Sequence, residues 1–243
     1  MNDTQSTTNP TGVRPGAEPI DHVPAVPIYA FKDLVGKSRE RALEWLRTST
    51  HESSWLLENW AEGAIEALEA YGFDLSTRNG PDFNYSLSNS QGDGVAFYGR
   101  LDLTAFVKAL EAPPDVPYVE AFQSFDDLDA LKRLVAAAPD VSAEVTRNDY
   151  GHHYSHAKTM RVSLIDEDPL AWVDERPTDE AERAHNTLEA NVEEAVLAWV
   201  RNVAKALERS GYAEIDYQTT DEALTESMEA NEYTFTAERK REG

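Results

Sequence analysis

The sequence predicts an α+β fold: an antiparallel sheet built from two hairpins, with helices packed mainly on one face. Three observations carry this. Alternating strand patterns over 83–99 flank a Gln91-Gly92-Asp93-Gly94 turn, whose glycines supply the positive φ a hairpin reversal needs. A second pair of such patterns, over 141–148 and 153–165, turns at Asp149-Tyr150-Gly151. The helical stretches between them never give strict strand–helix–strand alternation, which argues against a parallel sheet.

The elements follow in order. Residues 1–27 hold five of the twelve prolines among Ser, Thr, Asn and Gly, without periodicity, and read as a disordered leader. Order is expected from a short strand over 28–31, opening a single domain over 28–236, with 237–243 a flexible tail. Ser38 caps a predicted helix over 38–47, with Ala42 and Leu46 on one face. A second helix over 53–71 places Leu57, Trp60, Ala61, Ala64, Leu68 and Tyr71 at three- and four-residue spacing, and Gly72 stops it. Short helices are expected over 104–111, before Pro113-Pro114, and over 126–137, before Pro139. The longest helix, over 179–210, starts at Thr178 and carries a stripe of Leu188, Val192, Val196, Trp199, Val203 and Leu207, with Gly211 as its stop. Thr220 caps a last helix over 221–230, followed by a terminal strand over 233–235. Trp60 and Trp199 lie on apolar stripes and are core candidates.

Charge is the strongest compositional statement. The formal net charge of −23 argues against direct nucleic-acid binding, which depends on Lys and Arg. The acids are unevenly placed. Residues 165–194 hold eleven against Arg176 and Arg183, and residues 214–232 hold seven with no base, so the two stretches account for sixteen of the 23 excess negative charges. Such surfaces either solubilise the chain or present a negative field to a basic partner. With no cysteine, disulfides and thiol chemistry are excluded. Because there is also no apolar run of about 20 residues and no secretory leader, the chain is expected to be cytoplasmic, away from membranes.

Phosphate-loop, nucleophile-elbow and dinucleotide fingerprints are absent. Gly92-Asp93-Gly94 joins two strands and lacks the third glycine of a dinucleotide loop, so its glycines serve the turn. His51-Glu52-Ser53-Ser54-Trp55 has Trp55 where a zincin needs its second histidine, and it is better read as the start of the second helix. Asp126-Asp127-Leu128-Asp129 reads as an acidic first helical turn and Asp166-Glu167-Asp168 as a loop. One polar cluster has chemical potential: Asp149-Tyr150-Gly151-His152-His153-Tyr154-Ser155-His156. If extended, it sets His152, Tyr154 and His156 on one face, where they could line a pocket or, with Asp149, approach a metal, or could simply be a polar hairpin face.

Three segments carry a resemblance: Tyr29-Ala-Phe-Lys-Asp-Leu followed by Arg41-Ala-Leu-Glu-Trp45, the stretch from Tyr85 through Ser90-Gln-Gly-Asp-Gly-Val-Ala-Phe97, and Thr220-Asp-Glu leading to Glu229-Ala-Asn-Glu-Tyr-Thr-Phe235. In this order they resemble a set of small acidic proteins encoded by bacteriophages, prophages and plasmids, some of which are labelled antitoxins of toxin–antitoxin stability systems. The Gly151–His156 stretch is similar to a Gly-x-Tyr-x-His segment of that set, and residues 237–239 depart from its Glu-Asp-Gly end. The resemblance implies a mobile-element protein and no catalytic residues.

Two functional expectations follow. The first is a non-enzymatic acidic interaction protein that binds and neutralises a host or toxin protein with a basic surface, antitoxin-like or anti-defence, without a cofactor and without direct nucleic-acid contact. In its DNA-mimic form, the acids of 166–177, 179–194 and 214–232 would form one band. The second is a small-ligand-binding or metal-assisted enzyme that joins Gln91, Asp93 and the Gly92/Gly94 turn to Asp149, His152, Tyr154 and His156.

Overall fold

The computed structural model describes residues 13–14, 16–17, 21–23, 26–51, 54–148, 156–165 and 178–236. In chain order the elements are β1 (Asp21–Val23), β2 (Val26–Ala30), α1 (Gly36–His51), α2 (Glu58–Ala70), β3 (Phe73–Asp74), β4 (Ser76–Thr77), β5 (Gly80–Pro81), β6 (Phe83–Ser86) and β7 (Gly94–Phe97). They continue with β8 (Gly99–Asp102), α3 (Leu103–Glu111), α4 (Leu128–Ala137), β9 (Ser142–Arg147), β10 (Met160–Ile165), α5 (Asp179–Gln218), α6 (Asp221–Ala230) and β11 (Thr234–Thr236). The fold is α+β, and every strand pair among the described residues is antiparallel. No helix among them is long and apolar enough to cross a membrane.

The contacts gather the chain into two compact units: Met1–Leu57 with Ala213–Gly243, and Glu58–Tyr212. The expected span 28–236 is thus shared between the units, and α5 runs from the second into the first.

The first unit is stitched from both ends of the chain. Its sheet has the order β1-β2-β11, with Phe235 opposite Tyr29 and Thr234 opposite Ala30. Phe31, Leu34, Leu43, Leu46, Leu224, Met228 and Phe235 form its core, with Tyr29, Trp45 and Tyr233 packed against it. Phe31 and Trp45 meet the Phe235 ring edge-on at 6.3 and 5.8 Å. Arg47 adds a polar tie, donating to the Thr219 carbonyl at 3.1 Å and to the Asp221 carboxylate at 2.5 Å. Among the described residues of the expected leader, Val13 is buried and bridges Leu34, and β1 pairs β2. Prolines without periodicity hide this order because the pairing partner lies beyond them in sequence. The tail expected over 237–243 lies outside the described residues.

The second unit holds a four-stranded sheet of order β10-β9-β8-β3 and two separate two-stranded ladders, β4/β5 and β6/β7. Trp199 sits at the centre of its core. Its indole N–H donates to the Phe122 carbonyl at 2.9 Å, which satisfies the one polar atom that burial would strand. Phe106 approaches it at 4.4 Å and Phe73 stacks on it at 6.0 Å, while Tyr71 stacks on Phe122 at 4.9 Å. Trp60 and Trp199 are both buried, as expected of apolar-stripe tryptophans.

Helix ends explain most remaining differences. The Thr220 cap is made, accepting from the Ala223 amide at 3.2 Å, and Asp127 caps α4 by accepting from Ala130 at the same distance. α1 starts before Ser38 and runs to His51, so His51 ends one helix and does not start the next. Glu52 lies outside the described residues. α5 passes through Gly211 to Gln218. Gly211 is a packing glycine: a Cβ there would lie 2.3 Å from Leu87 Cδ1 and 3.1 Å from Trp60 Cζ2. A glycine that lets a helix pass close to other groups looks in sequence like one that ends it.

Candidate functional site

The first hairpin reverses differently from a four-residue turn. Its register pairs Ser86 with Gly94, so the loop is 87–93 and Asp93 is its last residue. That carboxylate organises the loop. Oδ1 accepts from the hydroxyls of Ser86, Ser88 and Ser90 at 2.8, 3.1 and 3.0 Å. Oδ2 accepts from the amides of Ser88 and Ser90 at 2.7 and 2.8 Å, and from the Tyr212 hydroxyl of α5 at 2.7 Å. Partial burial alone would raise the Asp93 pKa. The donors outweigh it, led by Tyr212 and the Ser90 amide, and hold the carboxyl far below the usual carboxylate range. Tyr212 moves the opposite way: burial raises its pKa and Asp93 adds to the rise.

Gly92 and Gly94 both have positive φ, +100° and +154°. Gly94 also has no room for a side chain, since a Cβ would lie 2.6 Å from His156 Cβ and within 3.7 Å of Glu208 Oε2. This close approach brings the hairpin loop, residues 156–158 and α5 around one cleft of about 260 Å³, lined by Gly92, Asp93, His156, Ala157, Lys158, Lys205 and Glu208.

His156 is placed by a capping box and not by a strand. Its Nδ1 accepts from the Lys158 amide at 3.1 Å, its own amide donates to Thr159 Oγ1 at 3.2 Å, and residues 157–159 form a short 3₁₀ turn before β10. His156 has extended dihedrals, φ −150° and ψ 170°, but lies outside β10, and the rest of the expected face, residues 152–155, lies outside the described residues. A histidine can serve as an N-cap acceptor, which the strand reading overlooked. With Nδ1 accepting, the neutral ring carries its proton on Nε2.

Of the expected site residues, Gly92, Asp93 and His156 come together in this cleft. Gln91 is exposed in the loop and does not line it. Asp149, Gly151, His152 and Tyr154 lie outside the described residues. Among the described residues, no group of three or more His, Asp or Glu side chains is placed to hold a metal ion. Sequence reasoning missed Tyr212, Lys158, Lys205 and Glu208. The one local signal was the alternation Ser86, Ser88, Ser90 ahead of Asp93, a row of hydroxyls in reach of one carboxylate.

The first unit carries a different feature. Asp216, Glu222, Glu226, Glu229 and Glu232 are exposed, and none forms an ion pair among the described residues, whereas Glu44 and Asp221 both pair with Arg47. Glu222, Glu226 and Glu229 fall at four- and three-residue spacing on one face of α6.

Residues 56–221 match the model of a domain of unknown function, DUF8835, and the chain belongs to that family. The matched stretch coincides closely with the second unit and leaves β1, β2, α1 and β11 outside it. No curated protein and no solved structure matches the chain.

Proposed function

We propose that this is a non-enzymatic interaction protein of a mobile element, which binds a basic host or toxin protein through the acidic face of its first unit and neutralises it. The observation that carries the reading is the set of five exposed carboxylates, Asp216, Glu222, Glu226, Glu229 and Glu232, none of which forms an ion pair among the described residues. Repulsion among such groups costs stability, and a cationic partner surface would relieve it. The resemblance of Tyr29-Ala-Phe-Lys-Asp-Leu and Glu229-Ala-Asn-Glu-Tyr-Thr-Phe235 to antitoxin-labelled proteins supports the same reading. Those two motifs pair with each other as β2 and β11, so their residues build the scaffold that holds α6 and its acids.

The test is affinity capture from cells that carry the gene, comparing the parent with a Glu222→Gln, Glu226→Gln, Glu229→Gln triple variant. A stoichiometric basic partner is expected, lost in the variant and weakened as salt shortens the screening length. A partner held equally by the variant and at high salt, or no stoichiometric partner at all, overturns the reading.

A further inference from the structure

The cleft beside the first hairpin is a second site, independent of the acidic face. Three separated pieces of chain build it: the end of the 87–93 loop, residues 156–158 and α5. Its charges are not equivalent. Asp93 accepts six hydrogen bonds, three on each oxygen, so both oxygens are already occupied by the protein's own donors. Lys158 and Lys205 are exposed at the cleft and form no ion pair among the described residues. They come from different elements, and Lys205 lies three residues before Glu208 on α5, so both of these side chains share one helix face. In a chain with a net charge of −23, this cleft sets two lysines against two carboxylates, and of these Asp93 is already fully hydrogen-bonded while Glu208 faces the cleft.

We propose that this cleft binds a small phosphorylated molecule that also carries hydroxyl groups, its phosphate held between Lys158 and Lys205 and a hydroxyl donating to Glu208. Two point charges on separate elements suit a compact dianion, and lysine binds phosphate in this way. The volume of about 260 Å³ has room for a sugar phosphate. Glu208 supplies the discrimination, because a carboxylate rewards a ligand hydroxyl and repels a bare second anion.

The probes are ribose 5-phosphate, inorganic phosphate and ribose, titrated by calorimetry into the full chain and into variants. Ribose 5-phosphate is expected to bind more tightly than phosphate, and ribose not to bind. Lys158→Ala and Lys205→Ala should each weaken ribose 5-phosphate by about tenfold, the equivalent of about 1.4 kcal/mol. Glu208→Gln should narrow the difference between ribose 5-phosphate and phosphate. Lys108→Ala, an exposed lysine of α3 away from the cleft, should leave binding unchanged. All four altered side chains are at least partly exposed, and retention of the parent's melting temperature checks their fold. Absence of binding by the parent overturns the proposal, as does equal weakening by Lys108→Ala or binding indifferent to both cleft lysines.

Discussion

The two units reach a buried aromatic core by opposite routes. The second is one continuous stretch, Glu58–Tyr212, whose core closes around Trp199. The first joins two ends of the chain, and its ties span long separations: Arg39 to Thr225 across 186 residues and Arg47 to Asp221 across 174. Closing so long a loop costs conformational entropy that local contacts do not. The comparison teaches that a conspicuous sequence pattern need not mark a reactive site. In the first unit they supply β2 and β11; in the second, Ser90-Gln-Gly-Asp-Gly94 supplies the Asp93 anchor and the glycine that admits His156.

The largest effects separate the units. Trp199→Ala should cost about 3–5 kcal/mol and abolish the cooperative thermal transition of the second unit. Phe235→Ala should cost a similar amount but act on the first unit, raising hydrogen exchange in β2, α1 and α6 while β8, β9 and β10 stay protected. Exchange rising equally everywhere would break the comparison, because the units would then unfold as one.

Asp93→Asn comes next, at about 2 kcal/mol, since it removes the charge and turns one acceptor into a donor facing other donors. Its pH dependence has a definite sign. The native carboxyl titrates below its unfolded value, so it stabilises the fold above the unfolded pKa of about 3.9 and loses that contribution as pH falls further. Denaturant midpoints of the parent and Asp93→Asn should therefore converge as pH drops below about 4. A constant gap would mean that the serine hydroxyls and not the charge hold the loop.

Tyr212→Phe removes one of the six donors and should cost about 1 kcal/mol, with the loop amides of Ser88 and Ser90 exchanging faster. Arg47→Gln is the smallest. Its ion pair with Asp221 is largely exposed, so about 0.5 kcal/mol is expected, diminishing with salt. A larger loss would assign the closure of the first unit to this arginine and not to its apolar core.

Legibility in the sequence tracked the range of the interaction. α6 could be read to the residue, because the Thr220 cap and the apolar spacing both lie within it. The α+β class followed from alternation and turn residues. The end of α5 could not be read, because Gly211 answers to Leu87 and Trp60 and not to its own neighbours. The site divides in the same way. Gly92, Asp93 and His156 were visible as polar or glycine-rich clusters, whereas Tyr212 meets Asp93 across 119 residues, and neither side carries a local trace of the other. The exposed lysines were invisible for a related reason: in a chain with 22 bases and 45 acids, only their placement distinguishes them.

The discontinuity of the first unit also sets a clock. β2 leaves the ribosome early, but the strand that covers residues 28–30 is β11, starting at Thr234. At about 5–20 residues per second, translation of the intervening chain takes on the order of 10–40 s. Over that interval one flank of Ile28, Tyr29 and Ala30 offers its backbone groups to any passing strand. Synthesis speed through the second unit therefore governs how long the nascent chain is exposed to mispairing, and synonymous changes that slow it should lower the yield of folded protein without altering a single side chain.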